Sequence, residues 1–505
     1  ALPLVNGGGP RRPALPLRGC LWNAQACLDI CPPCAYYGWG LAVQAGNTEK
    51  ISTGNINRLY VEIYMDLSPA ALTLIVLSVM ALLFVTEVTP LAVTAMGGAI
   101  ALGMLGVIPA STVFSGLSNS TVVLFAGMFV IGAAMFHTGL AQRIGGLVVR
   151  ACGTSEKSLL FGTMLVAALL SSVSSNTGTT AALMPVVIGI CSAARISPSR
   201  QLIPLAYAAG FGGTITLVGT PPNLIANAAL KASSMEPFGF FEFGRIGIPM
   251  TLLGMAYMMV IGVRLLPKEG DVQEAVETAE AVESAGGGSV RENPRGMWIT
   301  GLTLLGVVVV MALDIKKIPL ETAAVIGAGV LILTRCIDER LAYRSIDWVT
   351  IFLFAGMMPV AIALDKSGAG KLIADGVIGF MGGHPSPYLL TAVLFLLTTG
   401  LTQFMSNTAS AALLCPVGLS IAKGIGVSPH AVVMAVAIAA SCAFATPVGT
   451  PPNTLVLGAG RYRFMDYVKA GLPLTLLYLV FCTFLIPLIW PFDMCFNPQS
   501  VPSAD

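Results

Sequence analysis

Long apolar stretches, broken in a few places by polar clusters, dominate the chain. No Asp, Glu, Lys or Arg occurs over 88–142, 158–194, 201–230 or 376–422, and each run exceeds the roughly 20 apolar residues that cross a bilayer. The pattern predicts spans at 69–87, 90–107, 121–137, 201–231 (broken) and 246–266. A second set follows at 297–313, 319–336, 347–364, 429–458 (broken) and 472–490. Mixed stretches at 138–155 and 366–383 read as interfacial helices. Two further apolar segments, 158–194 and 386–422, have a polar cluster at their middle. The first contains Ser171-Ser172-Val173-Ser174-Ser175-Asn176-Thr177-Gly178-Thr179-Thr180, and the second Thr402-Gln403-Phe404-Met405-Ser406-Asn407-Thr408. Each half of these segments is too short to cross alone, so each segment reads as a re-entrant hairpin. Non-helical backbone at membrane depth must be buried in protein or line a cavity.

Composition narrows the class. Of 505 residues, 55% are hydrophobic and 10% charged, with a net charge of +2, where soluble domains carry about 25% charged residues. The mean hydropathy is +0.82. These values exclude soluble enzymes, nucleic-acid binders and disordered chains, and leave an all-α polytopic membrane protein, whose expected location is the inner (plasma) membrane. The reading divides the chain into an N-terminal extension (1–64), a first transmembrane repeat (65–266), a polar linker (267–296), a second repeat (297–490) and a tail (491–505). Met65 reads as a natural start.

The repeat rests on three motifs in the same order. Phe125-Ala126-Gly127-Met128 recurs at Phe354-Ala355-Gly356-Met357, Ser175-Asn176-Thr177 at Ser406-Asn407-Thr408, and Gly219-Thr220-Pro221-Pro222-Asn223 at Gly449-Thr450-Pro451-Pro452-Asn453. Five spans plus a hairpin per half give an odd count, so the second half is inverted. Such inverted repeats characterise secondary transporters with sites built from broken helices near the midplane. If the first hairpin opens to the cytoplasm, inside loops hold about twice the Lys and Arg of outside loops, an acceptable orientation.

Pro-Pro in a span removes two backbone donors and breaks the helix. Helix N-termini attract anions, while bare carbonyls with hydroxyl and amide oxygens suit small hard cations. No Lys or Arg stands beside either motif pair. A bound anion would therefore meet neutral donors, dipole ends and a co-bound cation, which predicts that the two are coupled.

At these residues the chain resembles the divalent anion/sodium symporter family, over about residues 67–490; Thr86-Glu87-Val88-Thr89-Pro90-Leu91 is a further point of likeness. The resemblance implies a homodimer in which a hairpin-bearing transport domain moves as an elevator against a scaffold. It implies a sodium site from Ser171, Ser175, Asn176 and the Gly219 carbonyl, and a second from Thr402, the Met405 carbonyl, Asn407 and the Gly449 carbonyl. A dicarboxylate would lie between Asn176 with Thr177 and Asn407 with Thr408, capped by Thr220, Pro221, Thr450 and Pro451. Members usually carry one more helix before the repeats, and none is evident before Ser68.

The expected function is sodium-coupled uptake of C4-dicarboxylates such as succinate, malate or fumarate. A sodium-independent dicarboxylate or citrate exchanger and a sodium/sulfate symporter are the alternatives. A channel fits duplicated hairpins less well, and an intramembrane enzyme would need paired ionisable groups that Glu87 and Glu321 do not supply. Cys27, Cys31 and Cys34 have the spacing of an iron–sulfur loop but no surrounding enzyme domain. His137, His384 and His430 read as structural, and Gly127 and Gly356 as sites of close helix packing.

Overall fold

A computed structural model describes residues 68–152, 155–194, 196–267, 293–313, 318–380 and 386–492. Among the described residues no strand occurs. The first half holds α1 (Pro69–Thr86), α2 (Leu91–Met104), α3 (Ser120–His137), α4 (Leu140–Cys152), α5 (Glu156–Ser171), α6 (Asn176–Ala194), α7 (Leu202–Gly213), α8 (Pro221–Ala232) and α9 (Gly244–Tyr257). A π turn, Met258–Gly262, prolongs α9. The second half holds α10 (Pro294–Ala312), α11 (Leu320–Leu333), α12 (Trp348–Ser367), α13 (Ala369–Phe380), α14 (Pro387–Thr402), α15 (Asn407–Ile425), α16 (Pro429–Ala440), α17 (Pro451–Ala459) and α18 (Phe464–Ile489). The N-terminal extension, most of the linker, most of the tail, Cys27, Cys31, Cys34 and His384 lie outside the described residues.

Among the described residues, eight helices are long and apolar enough to cross a membrane. Three expectations change. The spans expected at 90–107 and 319–336 are helices of 14 residues each, about 21 Å long against a hydrocarbon core of roughly 30 Å. Left-handed residues just beyond them, Gly106 and Arg335, turn the chain away. The span expected at 472–490 begins eight residues earlier, at Phe464, because Asp466 reaches back to the Arg463 N–H (2.7 Å) and caps it. The arms of the two apolar segments are also longer than the sequence suggested. α6 and α15 have 19 residues each and are long enough to cross by themselves. The polar motifs are not coil between short arms; Asn176 and Asn407 are the first residues of these helices, where backbone N–H groups lack intrahelical acceptors anyway.

Serines set these helix starts. Ser155 and Ser386 cap α5 and α14, accepting from the N–H groups of Ser158 and Leu389. Ser175 and Ser406 do the same for α6 and α15, through Gly178 (3.4 Å) and Ala409 (3.2 Å). A cap of this kind contributes about 1 kcal/mol.

Packing pairs recur when the halves are exchanged. α2 packs on α12 as α11 packs on α3, and α8 packs on α15 as α17 packs on α6. Within each half, α5 meets α7 as α14 meets α16, and α4 meets α6 as α13 meets α15. Lipid is as apolar as a side chain, so such contacts depend on close approach rather than on hydrophobic driving force. Gly127 and Gly356 allow it, as expected. A Cβ on Gly127 would stand 2.8 Å from Ala324 Cβ, and one on Gly356 2.5 Å from the Ala95 backbone.

Candidate functional site

Two broken helices and two short turns meet at the centre. α7 stops at Gly213 and α8 starts at Pro221; α16 stops at Ala440 and α17 starts at Pro451. The prolines occupy the first turn of α8 and α17 rather than interrupting a helix, a position where their missing N–H is no loss. What holds the intervening segments is a buried asparagine in each. Asn223 Nδ2 donates to the carbonyls of Gly213 (3.1 Å) and Thr216 (2.8 Å). Asn453 Nδ2 donates to those of Ala443 (2.9 Å) and Thr446 (3.0 Å). These bonds satisfy carbonyls that the break would otherwise leave bare inside the protein. Tyr207 OH donates to the Phe444 carbonyl, 2.5 Å away, tying the second break to α7.

Each turn then presents a hydroxyl and an amide to its break. Ser171 Oγ lies 2.6 Å from Asn176 Oδ1, and Thr402 Oγ1 lies 2.9 Å from Asn407 Oδ1. The same Asn176 atom position lies 3.2 Å from the carbonyls of both Ala209 and Gly219. That of Asn407 lies 3.1 Å from the Ala440 carbonyl and 3.3 Å from the Gly449 carbonyl. With the amide oxygen at that position, four oxygens would crowd each point with only the hydroxyl proton to share among them. Two arrangements relieve the crowding. Turning the amide places its NH2 there, with two N–H donors shared among the three neighbours, or a small cation occupies the cluster. Hydroxyl, amide and carbonyl oxygens are a donor set that suits a hard monovalent ion.

Most of the predicted residues converge on one cavity. Ser175, Asn176, Thr177, Gly219, Thr220, Pro221, Asn407, Thr408, Thr450 and Pro451 all line one cavity of about 270 Å³. Ser171 and Thr402 are fully buried behind it, each against its asparagine. Met405 is buried in its turn, and the carbonyls within 3.3 Å of the Asn407 amide are those of Ala440 and Gly449. Ser175 lines the cavity while its Oγ caps α6 at Gly178 N. Ala209, Ala440 and Gly213 were not anticipated. A Cβ on Gly213 would lie 2.5 Å from Asn176 Oδ1, so this glycine makes room for the amide. Backbone carbonyls leave no trace in residue identity, and Gly213 is one of 55 glycines.

Apolar walls face these polar elements. Phe125 and Met128 of α3 and Leu353 of α12 line the cavity, so part of the first repeated motif serves it as well as packing. Asp347, just before α12, is the one charged residue lining it among the described residues; the sequence showed it only as the first position of a span. Of the histidines, His137 ends α3 and His430 Nε2 sits 2.9 Å from the Glu236 carbonyl.

Paired helix breaks enclosing a polar cavity, in a chain of membrane-crossing helices, mark a multi-pass membrane transporter. The citrate transporter family (CitMHS) matches residues 81–417 and 377–500, and the chain belongs to that family, which is of the divalent anion/sodium symporter type that the motifs resemble. The uncharacterised transporter YfbS of Escherichia coli is 28% identical, over 82% of this chain and 98% of its own length. The sodium-dependent dicarboxylate transporter SdcS of Staphylococcus saprophyticus is 25% identical, over 81% of this chain and 85% of its own. A Caenorhabditis elegans sodium-dependent high-affinity dicarboxylate transporter is 27% identical, over 79% and 81%. The solved structure of the YdaH transporter of Alcanivorax borkumensis shares the fold at a TM-score of 0.56 and 18% identity, covering 84% of this chain and 98% of that one. That of MtrF of Neisseria gonorrhoeae does so at 0.52 and 14%, covering 74% and 82%. The family and these relatives are transporters rather than enzymes.

Proposed function

We propose that the protein is a plasma-membrane symporter that couples sodium to uptake of C4-dicarboxylates such as succinate, malate or fumarate. The observation that carries this reading is the pair of matched hydroxyl, amide and carbonyl clusters flanking one cavity that no Lys or Arg lines among the described residues. A sodium ion would sit among Ser171, Asn176, Ala209 and Gly219, and another among Thr402, Asn407, Ala440 and Gly449. Between them, the first-turn N–H groups of α6 and α15 and the hydroxyls of Thr177 and Thr408 would bind the two carboxylates, with Thr220, Pro221, Thr450 and Pro451 closing the cavity. The prolines leave α8 and α17 fewer N–H groups to offer, so these helices contribute mainly through their dipoles. Without side-chain cations, the dianion is neutralised chiefly by the ions at its flanks, and neither ligand binds well alone. The sodium-dependent dicarboxylate transporters among the relatives support the same pairing.

The exchange symmetry of the helix contacts supports inverted repeats over 65–266 and 297–490. In this reading the site alternates between the two faces of the membrane, as in an elevator moving against a homodimeric scaffold. Labelled succinate uptake into proteoliposomes tests the reading: uptake should require an inward sodium gradient. Counterflow that proceeds equally without sodium would leave a transporter but remove symport. The family's citrate description favours one second reading, a citrate or dicarboxylate exchanger, which that counterflow would reveal.

A further inference from the structure

Asp347 stands where a carboxylate is least expected, on the wall of a cavity that the proposed function assigns to an anion. Its backbone precedes α12, and its Oδ1 accepts from Thr350 N (3.1 Å) while Thr350 Oγ1 donates to Oδ2 (2.5 Å). Those two bonds account for its oxygens but not for its charge. Asparagine caps a helix about as well as aspartate, and its NH2 would still reach the threonine hydroxyl. Asp347 forms no ion pair among the described residues. It also borders a second cavity, of about 320 Å³, which adjoins the first through Ser174, Ser175 and Thr177. At that junction Ser174 Oγ is buried and has no hydrogen-bond partner, so a polar group without protein satisfaction faces the same boundary.

We propose that Asp347 is a charge filter at the boundary of the binding cavity, a specificity-determining residue that favours dianions over trianions and concentrates sodium ahead of the anion. This inference rests on the dicarboxylate reading. The residue is exposed, so its field acts through water and is modest. Two unit charges about 10 Å apart change an equilibrium about two- to fourfold for effective dielectric constants between roughly 80 and 40. Each additional negative charge on a carboxylate meets that penalty once more, whereas each sodium ion gains by a like factor. A filter of this size sorts citrate from succinate without preventing either from approaching. The α12 dipole offsets part of the charge, and removing the carboxylate leaves that positive end facing the cavity.

The test is sodium-driven uptake of labelled succinate into proteoliposomes at slightly alkaline pH, with citrate as competitor. In Asp347→Asn, citrate should inhibit about two- to fourfold more strongly relative to succinate, and the sodium concentration for half-maximal uptake should rise by a similar factor. Asp347→Glu should restore both values. Raising ionic strength with choline chloride should shrink both differences, because exposed charges are screened within about 10 Å at 0.1 M salt. The opposite signs separate a filter from a structural role, since a damaged cap would weaken both ligands together. Unchanged constants in Asp347→Asn, or constants that weaken in parallel, overturn the filter and leave the dicarboxylate reading standing. A wild-type protein without succinate uptake overturns the dicarboxylate reading, and the filter with it.

Discussion

The two oxygen clusters are built alike but braced differently. In both, a hydroxyl, an amide and two carbonyls meet within 2.6–3.3 Å, and an asparagine ten residues from the carbonyl it binds holds the break. The bracing departs at two pairs of positions. Where the first half has Ser172, bonded back to the Leu169 carbonyl of its own helix, the second has Gln403. That side chain donates to the Thr399 and Cys442 carbonyls, both 3.0 Å away, and accepts from Ala445 N at 2.9 Å. It therefore ties its turn directly to the unwound segment. Both halves share a tie from the other side, with Thr216 Oγ1 donating to the Ser172 carbonyl and Thr446 Oγ1 to the Gln403 carbonyl, so the Gln403 side chain is a brace that the first half lacks. Gly213 faces Asn176 with no space to spare, where Ala443 occupies the corresponding place in the second half. The surroundings also differ: Phe404 and Val448 are each 69% exposed, whereas their counterparts Val173 and Val218 line the cavity. Like clusters in unlike surroundings are what a site needs if it is to face the two sides of a membrane in turn.

The comparison makes graded predictions. The largest effect should come from the shared element. Asn176→Ala and Asn407→Ala should each reduce sodium-driven succinate uptake on the order of 100-fold, since each removes a bond to a charged ligand and leaves buried carbonyls unpaired. Size-exclusion profiles should remain those of wild type, and full uptake in both variants would refute the assignment. Gly213→Ala should then distinguish the halves. Its Cβ has no room beside the Asn176 amide, and overpacking of this kind costs about 1–3 kcal/mol, so half-saturating sodium should rise about tenfold. The reciprocal Ala443→Gly should change it by less than about twofold, and equal responses would erase the distinction. Gln403→Ala should act on stability, because it strands the Cys442 carbonyl and the Ala445 N–H at a cost of about 1–3 kcal/mol. Ser172→Ala should shift the thermal midpoint in detergent far less. The smallest effect is expected from Thr402→Ser, which keeps the hydroxyl and loses one methyl; uptake should stay within about twofold, whereas Thr402→Val should lose at least about tenfold.

Much of this arrangement was legible before any coordinates. Asn176 and Asn407, and the prolines at 221 and 451, stood out because polar groups in charge-free apolar segments are costly unless satisfied, and because each motif occurs twice. The length of the arms was misjudged for a local reason: Asn-Thr-Gly-Thr-Thr reads as coil, yet after a serine cap it forms the first turn of α6. The shortness of α2 and α11 was hidden because hydropathy continues past the left-handed residues that end them.

The sequence alone determined the class of protein, the duplication and the asparagines of the two clusters, since each follows from where polarity is tolerated in an apolar chain. Only the tertiary structure decided which atoms complete those clusters. The Ala209 and Ala440 carbonyls are backbone groups common to every residue, and Gly213 matters for space that another element fills. The Asp347 carboxylate acquired its meaning in the same way, because chain separation of 171 positions from Asn176 becomes a shared cavity wall only when α12 packs against α2 and brings its first turn to the centre.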